Sequence, residues 1–311
     1  MEAVKKTIWD FRPHLKESTI KQYVSALKKL QKNFLAHDLE FLEYPDSVKE
    51  MLTTGEKPLH FTTQRNIYNA IIIYLLALNH DNRYDEQLKV YKARMDELNE
   101  KYHQEQESGI ISNKQSPNFI TKDELESFIK TLKTHIKKDD QTRMVYVMFE
   151  ILTRVPLRND LAGMVMITPK RYTKLTDDDK KEHNYLVKDG KGFTIIDNVY
   201  KTSKKYGEKK IAVDGSSELA KILRSYLRVM KYQNGSVIFP ITTNYMSQLL
   251  IKYSKLYAGK SISTTMIRKI IASDKFVDHK EEQEKYAKMM GHTVGTQNKV
   301  YVKKRSPKQL G

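Results

Sequence analysis

One short region constrains the fold more than any other part of the chain. In the span 184–214, "NYLVKD", "GFTIIDNVY" and "KKIAVD" are β-branched runs, separated by Asp189-Gly190 and by the loop "KTSKKYGE". Runs of this length with turn residues between them predict a small antiparallel sheet. Elsewhere the apolar residues recur at helical spacing.

Residues 1 to about 105 read as helices only. Ile20, Tyr23, Leu27, Leu30 and Phe34 share one helical face behind a cap at Ser18, while Lys21, Lys28, Lys29 and Lys32 occupy the others. Further helices are expected at about 63–78 and 85–103, giving a bundle with basic outer faces. The polar stretch "HQEQESGIISNKQSPN" lacks periodicity and reads as a linker, placed at 106–117. After it, Thr121 and Glu124 form a capping box that opens a helix with Leu125, Phe128, Leu132 and Ile136 on one side. Residues 118–311 are therefore expected to form a second domain, its sheet followed by helices at about 216–232, 244–257, 264–273 and 281–290. The fold class is mainly α with a small antiparallel sheet.

The chain has 311 residues and a net charge of +17. A polyanion is the natural partner of such a chain. Of 55 basic residues only 12 are arginines, so diffuse phosphate affinity comes from lysine and each arginine is the more informative residue. Cysteine is absent, which excludes disulfides, thiolate metal sites and cysteine nucleophiles. The longest apolar run, Ala70 to Leu78, is short of the roughly 20 residues that span a bilayer. "MEAVKKTIWDF" lacks a signal-peptide core, so a soluble intracellular protein without membrane contact is expected. Asp177-Asp178-Asp179, flanked by lysines, reads as a solvated loop rather than a metal site.

Metal-free cleavage of a phosphodiester needs a nucleophile, fixed cations around the phosphorus and an acid for the leaving alkoxide. The second domain holds a residue for each role. Arg158, in "ILTRVPLRNDLAGM", follows a break at Pro156 and is expected to emerge near a helix N-terminus, as a phosphate ligand or a surface ion pair. Arg154 is the alternative, on the other side of the break. Arg268 stands among Met266, Ile267, Ile270 and Ile271, which suits an anion ligand or a buried ion pair. Lys201 opens the hairpin loop and suits a proton donor, with Lys204 and Lys205 as alternatives. His292, in "MMGHT", suits a phosphate contact or a structural role. Tyr301 is either a core tyrosine or the nucleophile.

The order of these residues resembles the catalytic domain of the tyrosine recombinase (phage integrase) family. An arginine, a hairpin lysine, a helical arginine, Gly-His and a tyrosine nine residues past the histidine occur in turn. The match spans Arg158 to Tyr301 and is most specific in "MGHTVGTQNKVY". The helical bundle is similar to that family's core-binding domain. The resemblance implies that Arg158 and Arg268 clamp the scissile phosphate, Lys201 is the general acid, His292 assists and Tyr301 forms a 3′-phosphotyrosyl intermediate. It also implies double-stranded DNA with specific sites as substrate, a homotetramer on DNA, and neither metal nor nucleotide cofactor. Type IB topoisomerases share this chemistry, and a degenerate integrase would keep only the DNA binding.

Thr265 stands where the family carries histidine, three residues before the second arginine. Threonine does not shuttle protons near neutral pH, so the acid–base load is expected to fall on Lys201 and His292. Ten residues follow Tyr301, so tetramer contacts are expected to rest on other segments. "PLRNDLAGM" and "TTMIRK" resemble the integrases of large DNA viruses and their mobile elements, which would place the protein in a host nucleus or a cytoplasmic viral factory.

Overall fold

A computed structural model describes residues 1–54, 58–155, 157–289 and 294–296. The chain divides into two units, Met1–Ile111 and Ser112–Gly311.

The first unit is built from α1 (Glu2–Phe11), α2 (Glu17–Asn33), α3 (Pro45–Thr54), α4 (Phe61–Leu78) and α5 (Asp85–Glu107). The apolar run of α4 is its centre: Ile67, Tyr68, Ala70, Ile71, Ile72 and Leu75 are all buried. A helix apolar on most sides belongs inside a bundle. Ile20, Leu27 and Leu30 of α2 join the same core, leaving Lys21, Lys28, Lys29 and Lys32 exposed. The expected cap at Ser18 is not used. Lys16 is the N-cap, because Glu17 occupies the first helical position and pairs with Lys21 one turn on, at 3.0 Å. Helix α5 continues past His103 to Glu107. No helix among the described residues is long and apolar enough to cross a membrane.

In the second unit, α6 (Lys122–Thr134) begins with the expected Thr121–Glu124 capping box. Then comes α7 (Asp140–Arg154), buried on nearly every side from Met144 to Leu152. Strand β1 (Val165–Ile167) follows, then the short helices α8 (Pro169–Tyr172) and α9 (Asp177–Lys180). Next are β2 (Tyr185–Lys188), β3 (Gly192–Asp197), α10 (Ser203–Tyr206) and β4 (Lys209–Asp214). Three longer helices follow: α11 (Glu218–Val229), α12 (Thr243–Ala258) and α13 (Thr264–Met289).

The class is mainly α with a small sheet, but the sheet is mixed. Strands β2, β3 and β4 are antiparallel as expected, whereas β1 adds a fourth strand parallel to β2, in the register Val165↔Tyr185. Three buried residues inside a longer apolar stretch carry no alternation to mark them as a strand. One sheet face, with Phe193, Ile195 and Val213, joins the core of α6, α7 and α11–α13. The opposite face holds a smaller cluster of Val165, Tyr172, Tyr185, Val187 and Ile196.

Two further expectations are corrected. The helices at 264–273 and 281–290 are a single α13, since no glycine or proline interrupts 264–289 and Lys280 pairs with Glu284 one turn on. The run Asp177–Asp179 is the first turn of α9, capped by Thr176 and paired with Lys180 and Lys181, rather than a loop.

Candidate functional site

Helix α7 ends at Arg154, and the side chain of Arg154 is taken by Glu150 one turn back. The helix does not resume as expected. Leu157 and Arg158 lead into a three-residue 3-10 turn, Asn159–Leu161, too short to supply the helix-end field anticipated for a phosphate. Arg158 closes that turn itself, its amide donating to Asp160 Oδ2 at 3.3 Å.

Two asparagines tie this turn to the other segments of interest. Asn159 donates through Nδ2 to Thr243 O (3.1 Å) and Ser247 Oγ (2.7 Å) on α12. Its Oδ1 accepts from the Thr264 hydroxyl, at 2.8 Å, in the first turn of α13. Helix α12 stops at Gly259 in the left-handed conformation, and the buried Ser254 hydroxyl accepts from Ile262 N, which sets the start of α13. Arg268 follows one turn after Thr264, so the Asn159–Thr264 bond fixes the helix carrying Arg268 against the turn carrying Arg158.

Asn184, buried just before β2, forms the second tie. Its Nδ2 donates to Asp160 O (2.8 Å) and Val199 O (3.0 Å), and its Oδ1 accepts from Asn198 N (2.8 Å) and Val199 N (2.7 Å). The start of the β3–β4 connection is thereby held beside the Arg158 turn.

Arg158 and Arg268 are both half-buried, and neither guanidinium makes a hydrogen bond or ion pair with another described residue. Burial raises the Asp160 carboxyl above the ordinary carboxylate range, opposed by the positive charges of Arg158, Lys209 and Arg268. Two separated arginines and one lysine therefore act on one carboxylate. Asp197, the last residue of β3, is fully buried, and neither of its carboxylate oxygens has a hydrogen-bond partner among the described residues. Burial pushes it up to about 6, with the Asp160 charge adding and Lys209 opposing.

The hairpin lysines are placed differently from one another. Lys201 is exposed in the turn after β3, without a hydrogen bond or ion pair to a described residue. Lys204 and Lys205 lie exposed on α10, where Lys205 sits over the Tyr206 ring. Thr265 is exposed on α13, three residues before Arg268, and it is its neighbour Thr264 that is buried and bonded. Met266, Ile267, Ile270 and Ile271 are buried around Arg268. His292 and Tyr301 lie outside the described residues. Among the described residues no group of three or more histidines and carboxylates is placed to hold a metal ion.

Asn159, Asn184, Asp197 and Lys209 were not singled out by sequence. Asp197 had a legible signal: in "GFTIID" it shares the inward parity of Phe193 and Ile195. The asparagines had none, since an asparagine in a loop commonly serves only its own turn.

No protein-family model matches this chain, and no curated protein matches it. Among solved structures, a crystal structure of XerA recombinase is similar over 99% of this chain and 95% of its own, at 13% identity and a TM-score of 0.34. A likeness at that level establishes neither family nor activity.

Proposed function

We propose that this chain is a DNA strand-cleaving and rejoining enzyme, a site-specific recombinase of the tyrosine type. The observation that carries the reading is that Arg158 and Arg268, two half-buried guanidiniums without a hydrogen bond or ion pair to another described residue, both act on Asp160 in the turn fixed by Asn159 and Asn184. Unpaired guanidiniums gathered in one place suit an oxyanion supplied from outside.

In the proposed reaction the Tyr301 oxygen attacks the scissile phosphorus and its proton passes to His292. Arg158 and Arg268 neutralise the charge gathering on the non-bridging oxygens. The P–O5′ bond breaks, and the leaving oxygen takes a proton from a lysine of the β3–β4 connection, Lys201 or a neighbour. A 3′-phosphotyrosyl bond remains, close in energy to the bond broken. Attack by a 5′ hydroxyl from a partner duplex restores both the DNA and Tyr301, so neither metal nor nucleotide is consumed. The exposed lysines of α2 would hold the duplex, and a homotetramer would pair two sites.

The test uses a randomised pool of nicked duplexes, incubated with the full chain and then denatured in SDS. The expected result is a detergent-resistant adduct at a 3′ end with wild type and none with Tyr301→Phe. Equal adduct from both proteins would remove Tyr301 from the reaction. No adduct from either would leave a DNA-binding protein without cleavage, the outcome that Thr265 in place of histidine would favour. Relaxation of a supercoiled plasmid without joining to a partner duplex would instead mark a type IB topoisomerase.

A further inference from the structure

The carboxylate of Asp197 is the least explained polar group among the described residues: 0% exposed, with neither oxygen bonded. Burying a carboxylate without donors is costly, so its neighbours decide what it does. In the β3–β4 ladder Asp197 is paired with Lys209. Cross-strand partners project from the same sheet face, here the face of Phe193, Ile195 and Val213 that meets the helical core. Asn184 holds the end of this strand against Asp160.

Lys209 rests with its Nζ 3.7 Å from the centroid of the Tyr200 ring. That ring is buried and fixed by its hydroxyl, which donates to Gly207 O at 2.8 Å. The adjacent Lys210 projects from the opposite face and pairs with Glu208 at 2.8 Å. Lys201, Lys204 and Lys205 lie in the exposed connection before β4. Lys209 is exposed as well, but its register puts it on the sheet face that meets the core, and its charge acts together with those of Arg158 and Arg268 on Asp160.

We propose that Lys209 is the third cation of an oxyanion site formed with Arg158 and Arg268, and that buried Asp197 is the positioning residue that draws its ammonium there. All three cations act on Asp160, and Lys209 acts on Asp197 as well, so three positive charges stand against two carboxylates and one is left to meet a phosphodiester's single negative charge. The Tyr200 ring is a platform from which the ammonium reaches either the carboxylate or a bound oxyanion, since a cation over an aromatic face is held without being neutralised. This inference rests on Arg158 and Arg268 being anion ligands, and it does not depend on which residue is the nucleophile.

Inorganic sulfate is a suitable probe, because it is tetrahedral and does not titrate near neutral pH. Calorimetric titration of the full chain at low ionic strength compares wild type with Lys209→Ala, Lys210→Ala, Arg268→Ala and Asp197→Asn. Lys209→Ala is expected to weaken sulfate about tenfold, as loss of a charge-assisted contact does. Lys210→Ala, which removes the same charge from the other face, changes it less than about twofold.

Asp197→Asn is the sign test. Removing a negative charge should by itself tighten an anion, whereas loss of positioning weakens it, by about threefold or more. The same variant is expected to melt no lower than wild type, so that weaker binding is not loss of fold. Equal effects at Lys209 and Lys210, or tighter sulfate with Asp197→Asn, would overturn the proposal. Weakening by Arg268→Ala alone would sink Lys209 while keeping the arginine clamp, and no saturable binding by wild type would sink the site. An absent Tyr301 adduct with the sulfate results intact would remove the recombinase reading and leave the anion site standing.

Discussion

Replacing Asn184 with alanine removes four hydrogen bonds from a residue only 6% exposed, two accepted from Asn198 and Val199 amides and two donated to Asp160 and Val199 carbonyls. Val199 is itself exposed, so water reaches some of the orphaned groups and the full penalty is not incurred at each. Taking about 1 kcal/mol for each group that recovers a water and more for one that does not, the cost is about 2–4 kcal/mol. For a unit of this size that lowers the melting temperature by roughly 5–15 °C. Far-UV circular dichroism follows both units, so a transition seen by dichroism but not by a probe of the first unit belongs to the second. The single tryptophan, Trp9, lies in Met1–Ile111, so its fluorescence serves as an internal control. Amide exchange at Asn198 and Val199 should accelerate in the same variant. Asn184→Asp keeps the acceptor and loses the two donated bonds, so it should cost about half as much before any charge effect. A change under about 0.5 kcal/mol with unaltered exchange would refute the claim that this side chain holds the two segments together.

Asp197 gives a pH prediction whose sign follows from its raised value. The folded carboxyl titrates at about 6 and the unfolded one near its ordinary value of 3.8, so between those limits the folded state binds the extra proton and stability falls as pH rises. Asp197→Asn should therefore raise stability at pH 7 by about 3 kcal/mol and flatten the slope between pH 4 and 6, as read by urea denaturation across that range. Arg268→Ala should reduce strand cleavage by about two orders of magnitude or more while changing duplex affinity less than about threefold, measured by single-turnover cleavage and by anisotropy. Combined replacement of Lys28, Lys29 and Lys32 should lower the slope of log affinity against log salt by about 2 to 3, seen by anisotropy over a salt series. Lys21→Ala should do less, because Glu17 already sits 3.0 Å from that ammonium.

The sequence disclosed features whose cause is local. The Thr121–Glu124 box needs four consecutive residues and is present in the fold, and the strands of the 184–214 region are marked by β-branched runs and by turn residues. Strand β1 was hidden because its partner lies some twenty residues away and its three positions are all buried. Ser18 satisfied every local condition for a cap, yet an acidic residue one place earlier with a lysine at i+4 moved the helix start to it. The cations were visible individually, since an arginine in an apolar run is conspicuous. What assembles them was not: Asn159 reaches Thr264, 105 positions on, and Asn184 reaches back 24 positions to Asp160. Neither separation leaves a trace in spacing.

Both ties are made by neutral amides, and amides neither titrate in the biological range nor respond to screening. The ties between the Arg158 turn, the start of α13 and the β3–β4 connection therefore do not themselves weaken with ionic strength or with protons gained and lost. A frame of ion pairs in the same place would loosen with added salt and shift with every proton gained or lost. On the proposed recombinase reading, a change in activity with salt can then be assigned to duplex attraction, and a change with acidity to the groups that exchange protons, without a loosening of these two ties to subtract.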